Sequence, residues 1–469
     1  MIRASTQAKG QATNRAPSGA VHQDAPPPHS TGPAGWLRNA AYGLLGAPLA
    51  MAALPLFVQL PPYYASHFGV ALTELGWVLF CARLIDMLQD PLLGHLLDHA
   101  GQRQGHAMLL AAALLSLAFA GLWLPPLDLT AAARWLAPLG IATVTAVAAL
   151  WLGTLLVLAY GAHSLLQIGY LAWGARLPGG GLAPVAWREG AGLAGVIVAS
   201  LIPPWILAGP APQLASRLGS YSTAFALLLA AATGALLLAA PRAPASAPSA
   251  RPQRWRSSLR ALSANPALRA LLPAYLLNAL SVAIPATLAM FFISDRLQAA
   301  PLAGAFLASY FVAAACGLPA WTALARRWGA LRSWRLGMLL AVAGFASAGL
   351  LGPGDIAPYF AVCLAAGAAL GADLALPPVL LASALGSGQP AGAAFGIFTL
   401  LGKLALALSG LSLPLIAMLD YQPGAAAGSG HAALTAIYAG LPCLLKLLAL
   451  AALPRQTPAP TSATLGSLT

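Results

Sequence analysis

The sequence predicts an all-α integral membrane protein of twelve transmembrane helices, arranged as two six-helix halves. Three observations carry this: 59% of the 469 residues are hydrophobic against 7% charged, apolar runs of bilayer length recur along the chain, and a basic Pro/Ala/Ser-rich stretch divides them. A soluble domain carries about 25% charged residues, so the apolar content decides the class. A net charge of +13 would suggest nucleic acid as the partner of a soluble protein. Here the basic residues become topology markers and nucleic acid is not expected.

Residues 1–35 are polar, carry three consecutive prolines (Pro26, Pro27, Pro28) and lack an apolar signal core, so they read as a disordered cytoplasmic tail. Runs of roughly 20 residues suffice to cross a bilayer. They are expected at 37–60, 71–97, 106–125, 145–175, 187–209 and 220–240 in a first half spanning 36–240. A second half, 270–453, holds 270–294, 303–325, 334–352, 357–383, 391–418 and 432–453, and 454–469 is a second cytoplasmic tail. The stretch 126–150 is the weakest, where Trp135 to Leu150 either extends the fourth helix or forms an interfacial segment. Between the halves, 241–269 carries six arginines and reads as a cytoplasmic linker, its charge serving topology control or anionic headgroups.

Placing the N-terminus inside puts 18 of the 24 basic residues on the cytoplasmic side, three outside (Arg134, Arg217, Arg296) and three within spans (Arg83, Lys403, Lys446). Both termini are therefore expected in the cytoplasm of an inner-membrane, multi-pass protein. A weak repeat supports two halves, since Pro91 and Gly101 reappear as Pro319 and Gly329, and transporters use such halves to rock about a central site. The four cysteines have no paired spacing and read as packing residues. Tyr63, Tyr64, Trp321, Trp328 and Trp334 near span ends read as interfacial aromatics, and Lys446 as a snorkelling cation.

The chemistry concentrates in the second span, where Arg83, Asp86 and Asp90 share one helical face by spacings of three and four. Intramembrane acids are costly unless compensated, which makes them functional candidates. One arginine cannot neutralise two acids, so a metal ion or a proton would complete the balance. Asp373, a lone acid beside the helix-breaking Pro377 and Pro378, is expected to line the cavity. His163 and Ser164, one turn before Gln167, could carry a proton or ligate sodium, although a buried histidine is more often a neutral hydrogen-bonding residue.

The run from Arg83 to Pro91 resembles the second helix of the glycoside-pentoside-hexuronide:cation symporters, the melibiose-permease-like branch of the major facilitator superfamily. Gly94, Asp98, Gly101 and Arg103 resemble that superfamily's loop between helices two and three, implying a cytoplasmic gate. Physically, Gly94 would permit a close helix contact and Gly101 a tight turn. The stretch Gln167 to Trp173, with Tyr170 inside it, stands at the family's fourth helix; Arg188 matches the arginine opening the fifth, and Phe395 to Lys403 resembles the eleventh. The resemblance implies a major facilitator fold, with cation coupling through Asp86, Asp90 and Lys403, Arg83 beside them, and Asp86 and Asp90 as ligands if the ion is sodium. It places Gln167, Tyr170 and Arg188 in the substrate cavity, where the local sequence also puts Asp373 and His163. The acids that grip sugar hydroxyls in melibiose permease are replaced by Ala50 and Gln167.

The expected function is therefore cation-coupled symport, with H+ or Na+, of a small organic solute by a monomeric carrier that needs no other cofactor. Symport of a lysolipid or other amphiphile is the alternative. An intramembrane prenyltransferase, suggested by Asp86-x-x-x-Asp90, is remote because no second acidic pair has helical spacing; no enzyme is expected.

Overall fold

The computed structural model describes residues 33–100, 103–125, 129–141, 143–175, 182–239, 260, 262–385, 391–425 and 429–453. Most of both tails, most of the linker and Gly101 lie outside these residues, as does the side chain of Asp98. Every regular element among the described residues is helical.

The first span is assembled from α1 (Pro33–Gly43), α2 (Gly46–Leu54), a π-helical turn at Pro55–Gln59 and α3 (Leu60–Phe68). Pro55 has no N–H to give to the preceding turn, which is how a helix opens into a π turn. Gly69 ends the span at φ +65°, a left-handed conformation that glycine adopts without strain. There follow α4 (Leu72–Ala100), α5 (Gln104–Trp123), the short α6 (Leu129–Leu136), α7 (Val144–Ala175), α8 (Leu182–Leu207) and α9 (Leu214–Ala239). The second half holds α10 (Pro266–Phe291, continued by a π turn to Arg296), α11 (Ala303–Trp328), α12 (Ala330–Ala348) and α13 (Ile356–Ala384). It ends with α14 (Ala391–Gly410), α15 (Ser412–Ala417), α16 (Ser429–Thr435), a π turn at Ala436–Gly440 and α17 (Leu441–Ala452).

Ten of these segments are long and apolar enough to cross a membrane. Adding α4 and α12, which have spanning length but carry more charge, is compatible with twelve crossings. In the weak stretch the chain does two things: Val144 to Leu150 belongs to α7, whereas Leu129–Leu136 is a separate helix with Trp135 80% exposed.

Local signals set the second half's start. Asn265 caps α10, its Oδ1 accepting from the Ala267 and Leu268 amides at 2.9 and 3.4 Å, and Pro266 occupies the first position, where no N–H is needed. In the first half α4 packs on α7, α2 on α8, and α5 on both α7 and α9. In the second, α11 and α12 pack on α13, while α10 packs on α14 and α17.

The halves meet where α4 lies against α14 and α15 and where α8 lies against α11. Glycine makes these crossings possible. A Cβ at Gly76 would collide with the Pro414 ring, one at Gly410 would stand 3.1 Å from the Phe80 nitrogen, and one at Gly304 3.0 Å from the Ser200 carbonyl oxygen. All three crossings lie toward the end of the bundle that carries segments 69–71, 208–210 and 418–425.

Several expectations are corrected here. Lys446 does not snorkel: it is 1% exposed. Tyr63 and Tyr64 are buried, donating to the carbonyls of Trp123 and Leu122, and Trp334 is buried and donates to Asp373, because each polar tip finds an internal acceptor. Cys81 and Cys316 are exposed rather than packed. Gly94 sponsors no close contact, since a Cβ there would meet nothing within 4 Å.

Candidate functional site

The α4 face carrying Arg83, Asp86 and Asp90 is turned toward α14 of the other half. Lys403 reaches across from α14, its Nζ 2.9 Å from Asp86 Oδ2 and 2.6 Å from Asp90 Oδ2. The stretch of α14 before it is held on α10, where Phe398 stacks on Tyr275 with ring centroids 3.8 Å apart. From α7 of the first half, Ser164 Oγ donates to Asp86 Oδ1 at 2.9 Å and accepts from Lys403 Nζ at 3.0 Å. Gln89 Nε2 adds a longer bond to Asp86 Oδ1 at 3.3 Å. One lysine thus ties together two carboxylates and a hydroxyl, drawn from three helices in both halves.

The balance of charge and hydrogen bonds is incomplete. Two carboxylates face one ammonium, and Asp90 Oδ1 is buried without a hydrogen-bond partner. Charge-assisted bonds are the strong ones, so an unpartnered carboxylate oxygen is a place where a cation is stabilised. Among the described residues no group of three or more His, Cys, Asp or Glu gathers to hold a metal. The oxygens at hand are those of Asp86, Asp90 and Ser164, hard ligands suited to a proton or an alkali ion rather than to a transition metal.

Arg83 departs from its expected part in the cluster. It is 3% exposed, but NH1 donates to the Leu406 carbonyl at 2.6 Å and to Ser409 Oγ at 3.0 Å, and NH2 to the Phe57 carbonyl at 3.2 Å. The guanidinium also lies over the Phe57 ring, 5.3 Å from its centroid. It pins α4 to α14 and to the π turn of the first span instead of neutralising the acids.

The expected substrate residues scatter. His163 borders the cluster, with Nε2 3.1 Å from the Leu49 carbonyl, and Gln167 lies one turn from Ser164 on the half-buried surface of α7. Tyr170 is corrected: it is buried against Tyr42 and its hydroxyl donates to the Gly43 carbonyl, so it packs the first span on α7. Arg188 pairs with Glu189 at 2.6 Å near the start of α8. Asp373 is spent on an internal pair: Oδ2 lies 2.6 Å from Lys446 Nζ and Oδ1 accepts from Trp334 Nε1 at 2.9 Å. Lys446 also donates to Asn278 Oδ1 at 2.7 Å, so this network ties α10, α12, α13 and α17 together inside the second half. Of the expected gate, Arg103 is exposed at the start of α5, and the placement of Gly101 and of the Asp98 carboxylate falls outside the described residues.

Sequence reasoning missed Gln89 as a partner of Asp86, although its place on the loaded face of α4 was a usable signal. It also missed a mainly apolar cavity of about 60 Å³ between the first span and the second half, lined by Leu54, Val58, Pro285, Tyr310, Tyr359 and Tyr438. The hydroxyls of Tyr359 and Tyr438 satisfy each other there at 2.7 Å.

Comparison with solved structures shows the fold. The nucleoside transporter NupG superposes with a TM-score of 0.65 at 15% identity, over 90% of this chain and 100% of that one. A bacterial homologue of the iron transporter ferroportin, in an inward-facing state, gives 0.65 at 14% identity over 89% and 99% of the two chains. A bacterial homologue of the human lysosomal transporter Spinster, inward-facing and unoccupied, gives 0.63 at 13% over 90% and 95%. A search of the curated proteins finds no sequence match. The family of MFS/sugar transport proteins matches residues 40–458, nearly the whole membrane region, and the chain belongs to it: this is a multi-pass membrane transporter of the major facilitator type.

Proposed function

We propose that the protein is a cation-coupled secondary transporter that moves a small organic solute by alternating access, with H+ or Na+ bound at Asp86 and Asp90. The observation that carries this is the bridging of both carboxylates by Lys403 across the two halves. A cation entering the site competes with the ammonium for the same oxygens, and the unpartnered Asp90 Oδ1 gives it a foothold. Release of Lys403 loosens α4 from α14. Cation binding is thereby linked to the equilibrium between two arrangements of the halves, the form a coupling free energy takes.

The distribution of basic residues favours cytoplasmic termini, an orientation that puts the glycine crossings at the outer end. The carrier acts as a monomer in an inner membrane. The family description favours a sugar-type solute, whereas Ala50 and Gln167 stand where sugar-gripping acids would be. A second reading, transport of a lysolipid or other amphiphile, is favoured by that same absence of sugar-gripping acids.

The test needs no known substrate. The melting temperature of the purified protein is measured in sodium, lithium and choline chloride at equal ionic strength, and across pH. A ligand of the folded state raises it. The parent should respond to an alkali ion or to pH, and Asp86→Asn and Asp90→Asn should lose that response. Identical responses in parent and both variants would remove the coupling site.

A further inference from the structure

A groove of about 580 Å³ opens at the bundle end where the halves touch, between the second-half helices α12, α16 and α17. Its length is lined by small residues: Ala346 on α12 and Gly349 just past its end, and Ala436, Ala439 and Gly440 along the π turn that joins α16 to α17. At its head stand Arg296, presented by the π turn that continues α10, and His431, near the start of α16. Neither is satisfied. His431 is 8% exposed with Nε2 lacking a hydrogen-bond partner, and the buried Arg296 Nε lacks one too. The neighbouring acid does not answer Arg296, since Asp295 Oδ2 accepts from the Tyr421 hydroxyl at 2.5 Å and from the Gly424 amide at 3.0 Å.

A buried guanidinium N–H without an acceptor calls for an anion, and it matches a phosphate in geometry as well as charge; the unpartnered His431 Nε2 beside it adds a second donor when it carries the ring proton. The groove continues from that head down between membrane-spanning helices over a path without bulky or charged side chains. Its volume far exceeds that of a phosphate ion, and its walls favour hydrocarbon.

We propose that this groove binds one anionic phospholipid from the adjoining leaflet, with Arg296 and His431 on the phosphate and an acyl chain laid along Ala436, Ala439 and Gly440. The site lies apart from Asp86, Asp90 and Lys403, and it rests only on the helices crossing a membrane, so it stands whether or not the coupling reading does.

The experiment uses the full-length protein in a neutral detergent. It is titrated with dioleoylphosphatidylglycerol, with dioleoylphosphatidylcholine and with inorganic phosphate, and read by native mass spectrometry and melting temperature. Phosphatidylglycerol should fill one site at least tenfold more tightly than phosphatidylcholine. Arg296→Gln and His431→Ala should each weaken it about tenfold, the worth of one charge-assisted hydrogen bond. A Cβ at Gly440 meets nothing within 4 Å, so Gly440→Leu should fold normally, fill the groove and displace the lipid while leaving the melting temperature in phosphatidylcholine unchanged. Gly440→Leu decides the matter if Arg296→Gln does not fold. Equal affinity for the two lipids, stabilisation by phosphate alone equal to that by phosphatidylglycerol, or parental binding in the folded variants would overturn the proposal.

Discussion

Gly76→Leu should wedge the halves apart at the end where they now touch. A Cβ at this position collides with the Pro414 ring and stands 2.8 Å from the Gly410 carbonyl oxygen. Non-bonded heavy atoms settle at about 3.5–4.0 Å, so the oxygen alone demands a retreat of about 0.7–1.2 Å, before the leucine Cγ and its two methyls are placed. Because α4 and α14 pack as rigid helices, that retreat falls on the interface between halves rather than inside either one. Overpacking of this kind costs about 1–3 kcal/mol, and the cost is borne only by the conformer closed at this end. The balance between conformers should move by about 5- to 150-fold. Spin labels at Ala71→Cys and Gln422→Cys, both exposed and on opposite halves, would report it as a gain of long distances in pulsed electron resonance. A folded Gly76→Leu protein with the parental distance distribution would refute the argument that this crossing is a closed gate.

Three further outcomes are expected. Lys403→Ala leaves two carboxylates without their shared ammonium and should cost about 2–5 kcal/mol of thermal stability; Lys403→Ala with Asp90→Asn should recover part of it, and additive losses would show that the charges do not interact. Asp373→Asn or Lys446→Met, each stranding one member of a pair in which Lys446 is 1% exposed, should destabilise by about 3–5 kcal/mol, whereas Asp373→Leu with Lys446→Met should recover only part of that loss, because Trp334 Nε1 and Asn278 Oδ1 then lose their partners; single variants that melt with the parent would rule out a structural ion pair. Single cysteines at Ser249 and Ser429 of a cysteine-free protein should label from opposite sides of the membrane, Ser249 from the cytoplasm, and labelling of both from the same side would overturn the topology drawn from the basic residues.

The membrane class, the span positions and the face shared by Arg83, Asp86 and Asp90 were legible because they depend on composition and helical spacing, which are local. The partners were less so. Lys403 could be brought to the acids only by resemblance, because nothing in α14 itself says which helix it meets. Arg83 was misassigned for a physical reason: on the helix face its nearest charges are Asp86 and Asp90, but its length lets it reach the Leu406 and Phe57 carbonyls, which chain pattern does not reveal. Lys446 looked like a snorkelling cation because it lies near a span end, and its acid, Asp373, is 73 residues away. Tyr170 was placed in a cavity by resemblance to the family's fourth helix, whereas packing against Tyr42 turns it inward.

The distance along the chain between α4 and its partners has a consequence for biosynthesis. Arg83 finds its acceptor 323 residues later, at Leu406, and Lys403 emerges only just before it. At roughly 5–20 residues per second of synthesis, the second helix waits about 16–65 s with both carboxylates unmet by their lysine. In that interval the one cation on the same face is Arg83 itself. Asp86 and Asp90 therefore enter the membrane long before the lysine that bridges them exists, with Arg83 the nearest opposite charge along their own helix.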